Sequence, residues 1–244
     1  MKNKTEKIAS LLEKLGLTPQ DVVIDWVVSG TIDLKIVQDA LLQKQKETVF
    51  VTSFSEIQPG MFLYDDGKIS QTYTEGQCCA LVLDVHKDRN TLLMMCLRKA
   101  LLPFCSPECD IDTAYLKSGL NATHFIRQMA VDVLGVSADA AQYCLEYCDK
   151  FVEPSQAFML TVDELKELEP NLSQIGSALR EAGISEGGFW LSTTTKIGKD
   201  IESAGAYIAM FMPDRIAVQK EYASIPQAVY PVYEMKFSKL DLKK

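Results

Sequence analysis

The spacing of apolar residues changes after Lys46, and this change restricts the chain to a fold that mixes helices and strands. Before it the spacing is helical, because apolar residues recur at i, i+3, i+4 and i+7, as in Ile8, Leu11, Leu12 and Leu15. Beyond it, short β-branched, aromatic or alternating runs are separated by Gly, Pro and Asp, which is typical of antiparallel strands. The sequence therefore predicts an α+β chain with a helical module at residues 1–46 and a larger domain at residues 47–244.

Three short helices with tight turns are expected in the helical module, a pattern that also occurs in helix-turn-helix DNA-binding proteins. Gly16 ends the first helix, and Thr18-Pro19 begins the second. The charge argues against DNA, since seven lysines and six carboxylates leave only +1 without any arginine. A packing or assembly function is the better interpretation, so a homo-oligomer is one expected form of the protein.

Charge and hydropathy exclude several classes of partner. The 244 residues carry a net charge of −8, so no nucleic acid partner is expected. No run approaches the roughly 18 apolar residues of a membrane helix, and we expect no membrane insertion. The first residues form no signal peptide, so the chain as given is expected in the cytoplasm, with a surface or exported location left open if a leader has been removed. Seven cysteines without disulfide-scaffold spacing indicate reduced thiols.

Strand signals follow the helical module. Thr48–Phe54 is rich in β-branched and aromatic residues, and Met61–Tyr64 is joined to Ile69–Tyr73 across an Asp-Asp-Gly-Lys turn that predicts a hairpin. Cys78–Val85 and Thr91–Leu97 form a second pair, whose nearly continuous apolar composition predicts the centre of a sheet. Four later segments are predicted as short antiparallel strands: Phe189–Thr193, Ala206–Met212, Ile216–Lys220 and Val229–Phe237.

Four helices are predicted between these groups of strands, after an irregular loop at Pro103–Gly119. Asn121 is expected to cap the first helix, Ser137 the second and Asn171 the fourth, which ends at Gly183. The third helix begins with the capping box Thr161-Val-Asp-Glu164, in which each outer side chain accepts a hydrogen bond from the other residue's backbone amide. The second helix is expected to carry Cys144 and Cys148.

The second half of the chain contains five sequence blocks in a recognisable order. They are Tyr143-Cys144, Leu160-Thr161 with Glu164-Leu165, Trp190-Leu191-Ser192-Thr193, Ala206-Tyr207 with Phe211 and Asp214, and Tyr230-Pro231-Val232-Tyr233. In this order the chain resembles a bacterial C-type-lectin-like domain family that includes ligand-displaying variable proteins of diversity-generating retroelements. The match covers about residues 78–237 and is strongest over 140–237.

The resemblance implies a C-type-lectin-like domain of antiparallel strands with packed helices, preceded by the helical module. The sequence departs from the family pattern at four places. Leu191 stands where the family has serine, Tyr230 and Tyr233 stand where it has arginine, and the proline before Thr161 is missing.

Two patterns are compatible with metal ions. Glu169-Pro170-Asn171 matches the tripeptide that supplies calcium ligands in true C-type lectins, but no further ligand motif follows, and a helix-to-helix junction is the better interpretation. Cys105 and Cys109 with Cys144 and Cys148 supply enough thiolates for zinc, although this spacing is weaker than paired Cys-x-x-Cys motifs. We therefore expect calcium-independent folding, no metal site and no cofactor.

A thiol-dependent enzyme is the third functional interpretation, since formylglycine-generating enzymes share this broad fold and use cysteines. Cys96 and Cys105 are the candidate nucleophiles, with Arg98, Lys99 and His86 as the nearest bases and cations in the sequence. Ser192 lacks the Gly-x-Ser-x-Gly context of a nucleophile and is interpreted as structural. No catalytic residue is assigned, and a non-enzymatic function is favoured.

The favoured function is recognition of a protein or glycan through the C-terminal loops. In the retroelement relatives, ligand-binding residues lie between the Trp-Ser-Ser-Thr block and the final strand, which corresponds here to Thr194–Ser203 with Asp214, Arg215 and Tyr222. The resemblance thus implies six candidate ligand-binding residues: Thr194, Thr195, Lys196, Asp200, Arg215 and Tyr222. The main alternative is a structural or assembly subunit that uses the N-terminal helices to form oligomers.

Overall fold

The structure, a computed structural model, describes residues 48–105, 111–184, 189–195, 205–211 and 215–242, with the backbone alone for Trp190, Thr194, Thr195, Gly205 and Phe211. The chain divides into two compact units, Met1–Thr48 and Val49–Lys244. The helices predicted for residues 1–46 lie outside the described residues. The second unit combines antiparallel strand pairing with several helices, so the predicted α+β class is confirmed.

Five antiparallel strands form the first sheet: β1 (Phe62–Tyr64), β2 (Ile69–Ser70), β3 (Cys78–His86), β4 (Thr91–Cys96) and β10 (Val232–Lys236). Their order is β10-β4-β3-β1-β2, which confirms the predicted hairpin and the predicted interior pair. The strand predicted at Thr48–Phe54 is wrong. Only Phe50 forms a bridge, to Ser70, and a 3-10 turn begins at Phe54.

Five further strands form the second sheet: β5 (Ala100–Leu102), β6 (Phe189–Thr195), β7 (Gly205–Phe211), β8 (Ile216–Glu221) and β9 (Gln227–Val229). Their order is β5-β9-β6-β7-β8, with one parallel pair, β6 with β9. The single strand predicted at Val229–Phe237 is wrong, because the chain passes from one sheet to the other between β9 and β10. Pro231 lies in this passage and has no amide hydrogen with which to continue a ladder.

Four α-helices accompany the sheets: α1 (Gly119–Arg127), α2 (Asp139–Glu146), α3 (Val162–Glu167) and α4 (Leu172–Glu181). A π-helix follows α1, and 3-10 turns complete the described helical elements: Gln128–Leu134, then Phe54–Glu56, Glu169–Asn171 and Phe237–Lys239. The end of α4 is as predicted, since Gly183 has a φ of +71° and the Ile184 amide donates to the Leu179 carbonyl at 2.7 Å. None of the described helices is long and apolar enough to cross a membrane.

The two faces of the first sheet are buried in different hydrophobic clusters. One face, with Leu81 and Leu93, packs with side chains of α3, α4 and the second sheet. The opposite face, with Met94 and Tyr233, packs with the segment that contains Phe151. A third cluster joins α1 and α2 to the second sheet. Burial on both faces explains why β3 and β4 are almost entirely apolar.

The carboxylate of Glu164 joins the starts of α1 and α3. It completes the predicted capping box, because Thr161 Oγ1 accepts from the Glu164 amide at 3.0 Å and Glu164 Oε2 accepts from the Thr161 amide at 2.9 Å. Its other oxygen, Oε1, accepts from the Gly119 amide at 2.9 Å. Glycine is required at position 119, since a Cβ there would lie 2.4 Å from the Met159 carbonyl oxygen. Burial raises the pKa of the Glu164 carboxyl group.

The other predicted helix caps are wrong. Ser118 caps α1 instead of Asn121, and its hydroxyl accepts from the Asn121 amide at 3.4 Å. No side chain caps α2, so Ser137 has no such function, and the Asn171 side chain makes no capping hydrogen bond to α4. Because α2 ends at Glu146, Cys148 lies outside the helix and is exposed.

Replacing Glu164 by glutamine should destabilise the domain, because a glutamine offers one acceptor oxygen where two are used. One backbone amide then loses its partner, which costs about 1–3 kcal/mol of unfolding free energy. Urea denaturation measures the change. Asp163→Asn is the control on the same helix turn, since Asp163 is exposed and should change stability by less than about 0.5 kcal/mol. Equal stabilities for the two variants would contradict the prediction.

Glu164 should also make stability depend on pH. Because burial raises its folded pKa above the usual 4.5, the folded protein binds this proton more tightly than the unfolded chain does. The resulting stabilisation is complete below about pH 4.5 and is lost as pH rises through the folded pKa. We expect the unfolding free energy of the wild type, relative to Glu164→Gln, to fall over this range in denaturation curves at a series of pH values. A relative stability that increases with pH would refute it.

Candidate functional site

A cleft of about 650 Å³ opens between the first sheet and the starts of α1 and α3. We call it the His86 cleft. Its sheet wall carries Asp84, His86, Arg89 and Glu234, its helix wall carries Lys117, Glu164 and Glu167, and its floor is formed by Leu93, Phe158 and Leu168. The volume is within the range of small-molecule and peptide sites in proteins. The cleft therefore combines an apolar floor with charged walls of both signs.

A β-bulge turns Asp84 and His86 toward the cleft. The register of β3 against β4 shifts between Val82 and Asp84, so Leu83 and Asp84 both lie on the face that carries Leu93. Asp84 of β3 therefore lies opposite Leu93 of β4, and Leu93 lies opposite Glu234 of β10. Without the bulge, alternation would direct Asp84 to the opposite face, which is buried in an apolar cluster. The bulge thus places two carboxylates on one row across three strands.

His86 is held at both ring nitrogens. Arg89 Nη2 lies 3.0 Å from Nδ1, and Asp84 Oδ2 lies 3.1 Å from Nε2. Because a guanidinium can only donate, Nδ1 must accept, and the proton belongs on Nε2, which donates to Asp84. Glu234 Oε1 lies 3.7 Å from Nδ1, too far for a hydrogen bond, and instead accepts from Arg89 Nη1 at 3.4 Å. This geometry assigns a neutral His86 ring in a fixed orientation.

Asn171 supports the sheet wall from the 3-10 turn that precedes α4. Its Nδ2 donates to Asp84 Oδ1 at 3.2 Å, and the Val85 amide donates to the same oxygen at 2.8 Å. The predicted helix junction at Glu169-Pro170-Asn171 is confirmed as a 3-10 turn between α3 and α4. Its asparagine therefore fixes a carboxylate of the cleft where the sequence had predicted a helix cap.

The described lining of the cleft contains few groups that can act as nucleophiles. Its described lining holds one hydroxyl, that of Ser118, which accepts a hydrogen bond from the Asn121 amide, and it holds no thiol. His86 and the thiol candidate Cys96 lie at opposite ends of the β3–β4 ladder, about 17 Å apart along the strands. Burial raises the pKa of Cys96, and that of Cys79 to about 12, which opposes formation of a nucleophilic thiolate.

The six residues implied by the resemblance lie away from the His86 cleft or outside the described residues. Thr194 and Thr195 end β6, near the end of β8 that precedes Tyr222. Arg215 lies before the other end of β8, roughly 20 Å away along the strand, and both Arg215 and Tyr222 are exposed. Lys196 and Asp200 lie outside the described residues. Thr194, Thr195 and Tyr222 thus share one end of the second sheet, and Arg215 does not.

Cys105 and Cys144, two thiols of the zinc-compatible pattern, are both buried in the hydrophobic cluster that joins α1 and α2 to the second sheet. Cys144 is buried, Cys148 is exposed, and Cys109 lies outside the described residues. Within the ranges that the structure describes, no three His, Cys, Asp or Glu side chains are arranged to hold a metal ion. Comparisons with protein-family models, with curated proteins and with solved structures found no match to this chain.

We expect nitrogen NMR of the imidazole rings to find His86 neutral with its proton on Nε2 in mildly alkaline buffer, because Arg89 occupies Nδ1. The chain has two histidines, so His124→Gln assigns the signals. Asn171→Ala should broaden or shift the His86 signals by loosening Asp84, and it should leave those of His124 unchanged. A proton on Nδ1 in the wild type would contradict the assignment.

Proposed function

We propose that residues 49–244 form a C-type-lectin-like domain that recognises a protein or glycan, without calcium and without chemistry, in the His86 cleft. The order of the five sequence blocks supports the fold, together with two largely antiparallel sheets and packed helices. The location differs from the C-terminal loops implied by the resemblance, because the cleft is a concave surface with charged walls among the described residues.

The observation that carries the proposal is the hydrogen-bonded sheet wall. Asp84 accepts hydrogen bonds from Asn171 and from the Val85 amide. His86 is hydrogen-bonded to Asp84 and to Arg89, and Arg89 also donates to Glu234. A site whose polar groups are fixed before the ligand arrives loses little side-chain entropy on binding. The apolar floor beneath it is already closely packed, since Leu93 and Phe158 are 8% and 6% exposed, so a ligand buries little further apolar area there and the polar wall is the main source of specificity.

The hydrogen bonding and the pKa values of the candidate catalytic groups favour recognition over catalysis. Arg89 covers the acceptor nitrogen of His86, and the hydroxyl of Ser118 is engaged in capping α1. The described thiols with shifted pKa values are shifted upward by burial. A recognition domain needs none of these groups to be reactive.

A glycan array and a protein pull-down, each run with matched variants, test the location of binding. Arg89→Ala/Glu234→Ala removes an exposed pair from the cleft, and Arg127→Ala/Asp132→Ala removes a comparable exposed pair outside it. We expect the cleft variant to lose any ligand found for the wild type, at least tenfold in affinity, and the control variant to retain it.

A loop variant with alanine at Lys196, Asp200, Arg215 and Tyr222 completes the set. Loss of binding in this variant alone would move the site to the C-terminal loops and overturn the proposed location. Retention by both variants, with a change in molecular mass instead, would favour the assembly alternative.

A further inference from the structure

Most charged groups of the His86 cleft are satisfied within the protein. Asp84, His86, Arg89 and Glu234 bind one another or the backbone across the sheet wall. On the helix wall, both oxygens of Glu164 accept from backbone amides. A ligand that uses any of these groups exchanges a contact that already exists, so the charged groups of the lining without such contacts are the ones that can form additional ion pairs.

Two charged side chains of the lining differ from the rest. Lys117 and Glu167 are exposed, and neither side chain forms a hydrogen bond or an ion pair with any residue in the part of the chain that the structure describes. The Lys117 carbonyl accepts from Thr161 Oγ1 at the start of α3, and Glu167 is the last residue of α3. Six residues of helix separate these points, a rise of about 9 Å. The helix wall therefore presents a cation at one end and an anion at the other.

We propose that the His86 cleft binds a short peptide with free ends, its carboxylate at Lys117 and its ammonium group at Glu167. This inference rests on the proposed function and specifies its ligand class. An extended chain of about three residues has a length of about 10 Å, comparable to the helix rise of about 9 Å between the Lys117 carbonyl and Glu167. The middle side chain then lies over Leu93, Phe158 and Leu168, which form the apolar floor. A peptide amino group is cationic at and below neutral pH, as binding to Glu167 requires.

The probe is the tripeptide Ala-Leu-Ala, titrated calorimetrically into residues 1–244, with N-acetylated and C-amidated forms as comparisons. We expect saturable binding of the free peptide and roughly fivefold weaker binding of each blocked form, the effect of one partly exposed ion pair. Lys117→Gln and Glu167→Gln should each weaken binding of the free peptide to a similar degree. Lys166→Gln and Asp163→Asn make the same charge changes on exposed positions outside the lining and should have no effect.

Double-mutant comparison identifies which end of the peptide meets which residue. N-acetylation of the peptide should cause no further loss of affinity for Glu167→Gln, and C-amidation should cause none for Lys117→Gln. In each variant the ion pair with that end of the peptide is already absent. Additive losses would overturn the proposed pairing, as would equal binding of free and blocked peptides. Absence of saturable binding of Ala-Leu-Ala at millimolar concentration would overturn the ligand class.

The two proposals fail in different ways. If a glycan or protein ligand depends on Arg89 and Glu234 but Ala-Leu-Ala does not bind, the proposed recognition site is supported and the peptide proposal is overturned. Binding of the tripeptide that is unaffected by Arg89→Ala/Glu234→Ala but lost in Lys117→Gln would support the peptide and restrict the site to the helix wall.

Discussion

The buried carboxylate of Glu164 is the contact on which the arrangement of this domain depends. It satisfies amides at the starts of two helices that are distant in sequence, and it lies where those helices form one wall of the His86 cleft. Burial disfavours its charged form, and the hydrogen bonds from Gly119 and Thr161 offset part of that cost. The close approach that this requires excludes any side chain at position 119. The position of the helix wall is therefore set by a polar contact, with the apolar packing of Leu165 and Leu168 around it.

Local signals in the sequence predicted local structure well. The capping box at Thr161, the hairpin turn after Tyr64 and the glycine end of α4 depend on residues only a few positions apart, and all three are confirmed. Predictions failed where a distant residue competes for the same group. Asn171 was expected to cap its own helix, but its amide binds Asp84, 87 positions away. Likewise, the sequence predicts one continuous strand at Val229–Phe237, but Val229 pairs in the second sheet and Val232–Lys236 pairs in the first.

The His86 cleft escaped prediction because its residues come from four separate stretches of sequence, and each has an ordinary explanation by itself. His86 ends β3 and Arg89 lies in the turn that follows it, while Lys117 belongs to an irregular loop and Glu167 to an amphipathic helix. One signal was present. Asp84 interrupts an otherwise apolar run in β3, and a charged residue at such a position indicates either a bulge or a functional side chain. Here the structure shows a bulge, and Asp84 lies in the lining of the cleft.

The bulge in β3 has a consequence for how the chain folds. If β3 and β4 pair without it, or one residue out of register, Asp84 and His86 turn into the apolar cluster around Met94 and Tyr233. An unpaired carboxylate in that environment costs several kcal/mol, so a domain assembled on a misaligned hairpin would be less stable by about this amount. The polar residues that form the wall of the cleft thereby also favour one alignment of two interior strands of the sheet.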